Sequence, residues 1–186
     1  MIKFYEDTSN GYTSRTRKNV LASDITIAFA VNENTGGETQ TAGFANSANI
    51  PFFSFKIDQK DHTIKKTPFN LAQIEAIVEE CESGMSEHKV PVINVAGNGI
   101  QRFIQCGMTQ ERVDELVYNF LKYLAKDRRC NFKVRSGGQS GADEAGLKAG
   151  DKLGLDTICL APKGWRFKDS SNRDIYNEEE FKKRFL

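Results

Sequence analysis

Short apolar runs alternate with longer stretches of helical periodicity along this 186-residue chain. The runs at 25–30 (Ile-Thr-Ile-Ala-Phe-Ala), 51–55, 90–95, 131–135 and 157–160 are four to six residues long and partly β-branched or aromatic. Runs of this length fit parallel strands covered on both faces. Helical patterns lie between them. A short one spans 16–22, and 39–49 is rich in alanine and small residues. In 71–82, Leu71, Ile74, Ile77 and Val78 fall on one face. The clearest helix is 109–126, whose stripe is Val113, Leu116, Val117, Phe120, Leu121 and Leu124. Thr109 ahead of Gln110-Glu111 reads as its N-cap. In 141–152 the residues Ala142, Ala145, Leu147 and Ala149 suit close packing on a sheet, and Gly154 suits the exit. The stretch 56–69 is polar and irregular, either a β-excursion or an exposed loop. The tail 177–186 mixes charges with Phe181 and Phe185 and predicts a terminal helix docking two rings. Strands alternating with helices, with no linker or repeat, predict one α/β domain over 1–186 with a mostly parallel sheet.

Composition narrows the function. Lys plus Arg total 26 and Asp plus Glu 25, a net charge of +1. That balance argues against nucleic acid as a partner, because a broad basic footprint is missing, yet it allows a local anion site. No apolar run approaches the ~18 residues of a membrane span, and the first residues lack a leader's apolar core. The four cysteines form no CxxC pair, so all four are expected to be structural, reduced and cytoplasmic. His62 and His88, the only histidines, sit in polar, loop-like surroundings, which leaves no metal cluster or Ser-His-Asp triad to expect.

The glycines carry the candidate chemistry. In an open parallel sheet, ligands bind outside the carboxyl ends of the strands. There the sequence places Thr35-Gly36-Gly37-Glu38-Thr39, Gly97-Asn98-Gly99, Ser136-Gly137-Gly138-Gln139-Ser140-Gly141 and Lys163-Gly164-Trp165. Glycine lets backbone approach an anion, and the first amides of a following helix point at it. Hydroxyls and amides of Thr35, Thr39, Ser136, Gln139 and Ser140 add contacts, and Lys163 and Arg166 add charge. Each glycine pair alone also fits an ordinary tight turn. Neither GxGxxG nor GxxxxGK[ST] occurs, so a standard dinucleotide fold or P-loop is unsupported.

Ser136-Gly137-Gly138-Gln139-Ser140-Gly141-Ala142-Asp143-Glu144-Ala145 resembles the SGGQTGxDxA motif of the YpsA-like branch of the SLOG superfamily. Ala161-Pro162-Lys163-Gly164 is similar to its CPKG-type loop. Arg15-Thr16-Arg17-Lys18-Asn19-Val20, Ser23-Asp24 and Thr35-Gly36-Gly37-Glu38-Thr39 resemble its RTxxNV, SD and TGGT segments. In that branch the SGGQTG segment comes first. Here it comes last, which implies a circular permutation. The resemblance implies a Rossmann-like three-layer fold and a nucleotide-type ligand with no cofactor required. It points to bacterial and phage proteins, some labelled molybdenum carriers, and implies that a phage member could sequester a host immune signal. The superfamily's LOG-type phosphoribohydrolases carry PGGxGTxxE, and aligning Gly36-Gly37 puts Gly43 where their glutamate stands. That absence argues against an enzyme.

The candidate acids are Asp143, Glu144 and Glu38. Each either serves a ligand or general acid–base step, or complements a helix dipole. Arg15 and Asn19, four residues apart, face a ligand phosphate or base, or plain solvent. Trp165 either stacks on a base or plugs the core, and Arg102 with Phe103 is a candidate pocket wall. The reading with most support is a homo-oligomeric binder of a nucleotide-derived signal, ADP-ribose-like or cyclic. The alternatives are a nucleotide N-glycosidase and a DNA-binding module.

Overall fold

Six parallel strands form the sheet that positions everything else. The computed structural model describes residues 1–9, 11–86, 89–169 and 171–185, so His88 lies outside the described residues. In chain order the main elements are β1 (Ile2–Glu6), α1 (Tyr12–Leu21), β2 (Ile25–Ala30), α2 (Gly36–Ser47), β3 (Phe52–Lys56), α3 (Pro68–Ser86) and β4 (Val92–Gly97). They continue with α4 (Ile100–Ile104), α5 (Gln110–Lys122), β5 (Lys133–Ser136), α6 (Ala142–Lys152), β6 (Thr157–Ala161), β7 (Arg166–Lys168), β8 (Asp174–Tyr176) and α7 (Glu178–Lys183). The sheet order is β1-β6-β5-β4-β2-β3, with every pair parallel. The architecture is the expected Rossmann-like α/β fold.

The apolar runs are central strands for the expected reason. All six residues of β2 are buried, and a strand covered on both faces has no polar side to show. Phe29 of β2 packs its ring edge-on to Phe120 of α5 at 5.2 Å, beside Phe55 of β3 at 6.1 Å. The small residues of α6 bring it hard onto the sheet. A Cβ on Gly146 would lie 2.5 Å from Val95, and one on Gly150 2.5 Å from the Thr157 hydroxyl. Gly154 (φ +72°) ends that helix as expected, with its amide on the Asp151 carbonyl at 2.9 Å. Thr109 caps α5, accepting from the Arg112 amide.

Several boundaries differ from the sequence reading. The helix α2 begins at Gly36, three residues early, because Thr35 is its N-cap and accepts from the Glu38 amide. The helix α1 begins at Tyr12 rather than at 16, and α3 begins at Pro68 rather than at 71. Proline suits a first helical position because its missing donor would be unused there. Past Lys122, α5 loosens into a π-turn over Tyr123–Asp127. The strand β1, the short helix α4 and the β7–β8 hairpin have no counterpart in the sequence reading. The irregular 56–69 stretch makes a single antiparallel bridge, Ile57 to Ile64. The tail does form a helix, and α7 buries Phe181 and Phe185 against Phe4 and Phe167 beside β1 and β6. All four cysteines are free, three of them buried, and no helix among the described residues is long and apolar enough to cross a membrane.

Candidate functional site

The strand order reverses between β2 and β4. From β2 the chain steps outward to β3, then returns to β4 on the other side and proceeds through β5 and β6. A crevice opens outside the carboxyl ends at such a point.

Close backbone contact builds its rim. Gly97 ends β4 with φ +143°, and a Cβ there would lie 2.1 Å from the Phe29 carbonyl oxygen. Asn98 follows and brackets two loops. Its Oδ1 accepts from the Val31 and Asn32 amides at 3.0 Å each. Its Nδ2 donates to the Asn32 carbonyl at 3.1 Å and to Glu38 Oε2 at 2.7 Å. An amide side chain offers two donors and two acceptor sites, so Asn98 has none to spare. The β4 and β5 loops then meet back to back. The Ile100 amide donates to the Ser140 carbonyl and the Ala142 amide to the Asn98 carbonyl. A Cβ on Gly141 (φ +111°) would meet the Asn98 oxygen at 2.4 Å.

Below this rim lies a cavity of about 240 Å³ between α1, α2 and the ends of β4 and β5. Arg15 reaches into it from α1 and is 5% exposed. One terminal nitrogen donates to the Gly137 carbonyl at 2.9 Å, the other lies 3.9 Å from an Asp143 carboxylate oxygen, and Nε has no partner. Gly137 permits this approach, since a Cβ there would lie 2.6 Å from Asp143 and 2.9 Å from the Arg15 guanidinium carbon. Burial pulls the Arg15 pKa down, while Asp143 pushes it back up. Burial lifts the Asp143 carboxyl to about 6, against the pull of Arg15 and of the Gln139 and Gly137 backbone. Glu38 is pushed to about 7, mainly by burial and further by the charge of Asp143. Asn19, one turn along α1 from Arg15, accepts from Arg135 Nε at 2.9 Å.

The structure gathers about half of the expected residues around the cavity. Arg15, Asn19, Gly37, Gly97, Asn98, Gly99, Gly137, Gln139, Ser140 and Asp143 line it. The side chains of Gln139 and Ser140 are occupied, donating to the Arg166 and Lys168 carbonyls. Thr35, Gly36, Thr39, Ser136, Gly138 and Gly141 are not among the lining residues. Gly138 instead sits under Phe181, whose ring a Cβ would meet at 2.6 Å. Glu38 lies behind Asn98. Glu144 turns away to ion pairs with Lys148 and Arg184, each at 2.7 Å. Trp165 packs on Phe181 at 5.6 Å, while Lys163 and Gly164 line a neighbouring hollow. Phe103 is fully buried in the core, and Arg102 does not line the cavity. Residues that the sequence reading did not name as site candidates complete the lining: Tyr12, Thr16, Gln40, Thr41, Asn94, Val95 and Ala96. Asn94 carried a signal, an amide inside the apolar run Val92-Ile93-Asn94-Val95. Among the described residues no group of three or more His, Cys, Asp or Glu side chains is placed to hold a metal.

This is a Rossmann-like α/β protein with a polar, cation-bearing crevice at its topological switch point. It belongs to the circularly permutated YpsA SLOG family, whose model matches residues 3–121. That match stops short of the Ser136–Gly141 loop. The crystal structure of a protein from Syntrophus aciditrophicus SB, labelled a molybdenum carrier, is similar at 25% identity and a TM-score of 0.40. The similarity covers 62% of this chain and 63% of that one, under two thirds of each. No curated protein matches the chain significantly.

Proposed function

We propose that the chain binds a nucleotide-derived small molecule, ADP-ribose-like or a cyclic nucleotide, in the cavity beside Arg15. Arg15 carries the reading: it lines the cavity, is 5% exposed and keeps a buried Nε with no hydrogen-bond partner. A buried cation with a donor left over is costly alone and is relieved by an anion such as phosphate. Asn19, Gln40, Thr41 and Asn94 line the same cavity, and each spends one hydrogen bond inside the fold, which leaves the Asn19 amide nitrogen, the Gln40 and Asn94 amide oxygens and the Thr41 hydroxyl oxygen as partners for ribose hydroxyls. No cofactor enters this reading. Binding without turnover fits sequestration of a host immune signal by a cytoplasmic, homo-oligomeric phage protein.

One observation favours a second reading, a nucleotide N-glycosidase. Asp143 faces the cavity with its carboxyl lifted to about 6, where a protonated fraction persists near neutrality and suits a general acid.

The test is retention. The protein is incubated with ADP-ribose, cyclic ADP-ribose isomers, cyclic dinucleotides and nucleoside monophosphates, filtered and heated, and released compounds are identified by mass spectrometry. One intact compound should be retained by the wild type and lost from a folded Arg15→Met variant. Consumption of a compound with release of free base, abolished by Asp143→Asn, would instead establish the glycosidase. Retention of nothing and consumption of nothing would refute both.

A further inference from the structure

The Arg15 cavity, about 240 Å³, is smaller than the ~300–1,000 Å³ of a typical small-molecule site. A second hollow of about 400 Å³ adjoins it, lined by Tyr12, Pro162, Lys163, Gly164, Arg166 and Tyr176. Tyr12 lines both. Its ring carries two guanidinium groups, that of Arg15 at 5.4 Å and that of Arg166 at 4.3 Å from the centroid.

The second hollow has the chemistry of an aromatic anion's seat. Arg166 lies over Tyr12, with Nε donating to the Tyr12 hydroxyl at 3.1 Å and lying 3.5 Å from the Asp174 carboxylate. Lys163 is exposed and makes no ion pair or hydrogen bond with a described residue. Tyr176 lines the hollow from β8 and is 61% exposed, so its ring is open to a ligand. Gly164 (φ +71°) lies against it, and a Cβ there would sit 3.3 Å from Tyr176 Cδ1. Its amide is pinned to Glu6 Oε1 at 2.6 Å, which fixes the loop. The hollow thus offers two rings and two cations in a short span. Rings stack on a nucleobase whatever its identity, and cations beside them hold the attached phosphate.

We infer that the site is two-lobed and selects a dinucleotide-type ligand, two sugar–phosphate units joined through pyrophosphate with at least one base, over a mononucleotide. One ribose occupies the Arg15 cavity. The pyrophosphate passes Tyr12 between Arg15 and Arg166, and the base lies against Tyr176. This rests on the binding reading above and adds to it the ligand's size and the residues that measure it.

Calorimetric titration of the full chain with ADP-ribose, AMP and ribose 5-phosphate tests it. ADP-ribose should bind at least about tenfold more tightly than either fragment, the scale of one base–aromatic stack. Tyr176→Ala should weaken ADP-ribose about tenfold and leave ribose 5-phosphate unchanged, while Tyr176→Phe restores binding. Tyr176 belongs to the β7–β8 pairing, so Lys163→Gln at an exposed side chain gives a second test that spares the fold. It should weaken ADP-ribose and AMP, spare ribose 5-phosphate, and do so more strongly at low salt. Equal affinity for the three compounds, or variants that weaken all or none of them, would overturn the two-lobed site while leaving binding at Arg15 standing. Failure of all three to bind the wild type would overturn the two-lobed site, and only retention of nothing from the wider nucleotide mixture would remove binding at Arg15 as well.

Discussion

Replacing Glu38 by glutamine should stabilise the protein, and only at neutral to alkaline pH. Glu38 is 5% exposed, and its Oε2 accepts from Asn98 Nδ2 at 2.7 Å and from the Thr35 hydroxyl. No cation pairs with it among the described residues, and burial with the nearby charge of Asp143 raises its carboxyl from 4.5 to about 7. A carboxyl held higher in the folded than in the unfolded chain takes up a proton on folding. Its penalty is absent below about pH 4.5, grows as pH rises to about 7, and is constant above. At 1.36 kcal/mol for each tenfold step, the full penalty is about 3 kcal/mol. Glutamine keeps an oxygen for Asn98 and Thr35 and never ionises. Urea unfolding of wild type and Glu38→Gln should therefore give nearly equal stability at pH 4.5. At pH 8 the variant should be ahead by up to about 3 kcal/mol. An equal difference at both pH values, or a variant less stable at pH 8, would refute the argument that the burial of Glu38 outweighs the Asn98 hydrogen bond and the charge of Arg102 that oppose it.

Other expectations follow from the packing. Gly97→Ala forces a Cβ to within 2.1 Å of the Phe29 carbonyl at φ +143° and should cost more than about 3 kcal/mol in thermal unfolding. Gly36→Ala, at the first position of α2 with nothing within 4 Å of the new atom, should be neutral or stabilising by up to about 1 kcal/mol in the same assay. Arg184→Met removes the donors to Glu144, Ser140 and Gly138 and should cost about 3 kcal/mol. It should also expose the α7 segment to proteolysis before the sheet unfolds, visible as early trimming of the carboxyl terminus. Asn98→Ala strips partners from two loop amides and from Glu38 and should cost about 2–4 kcal/mol by denaturant titration, with its effect on Glu38 raising that carboxyl further.

What the sequence made legible was whatever depends on local pattern. The six-residue apolar run of β2 can be satisfied only in the middle of a covered sheet, and the small residues of α6 only against one, so strand and helix identities were readable. The strand β1 escaped because an edge strand is half exposed. Its Ile2 and Phe4 alternate with Lys3 and Tyr5 and become a strand only through pairing with β6, more than 150 residues away. The β7–β8 hairpin escaped because its strands have three residues each, too short for any period. The site divides in the same way. Glycine-rich loops at strand ends marked the crevice, because ligand approach and loop-on-loop packing demand the same missing Cβ. That shared demand is also why the reading could not separate Gly137, which opens room for Arg15 and Asp143, from Gly138, which seats the Phe181 ring. The two differ only in what the tertiary fold lays over them. Polar side chains behave alike: Asn98, Gln139 and Ser140 were expected at the ligand, yet they spend their hydrogen bonds holding neighbouring loops. The loops of this crevice are therefore braced by the fold itself, and among the described residues the buried side-chain donor left without a partner there is Nε of Arg15.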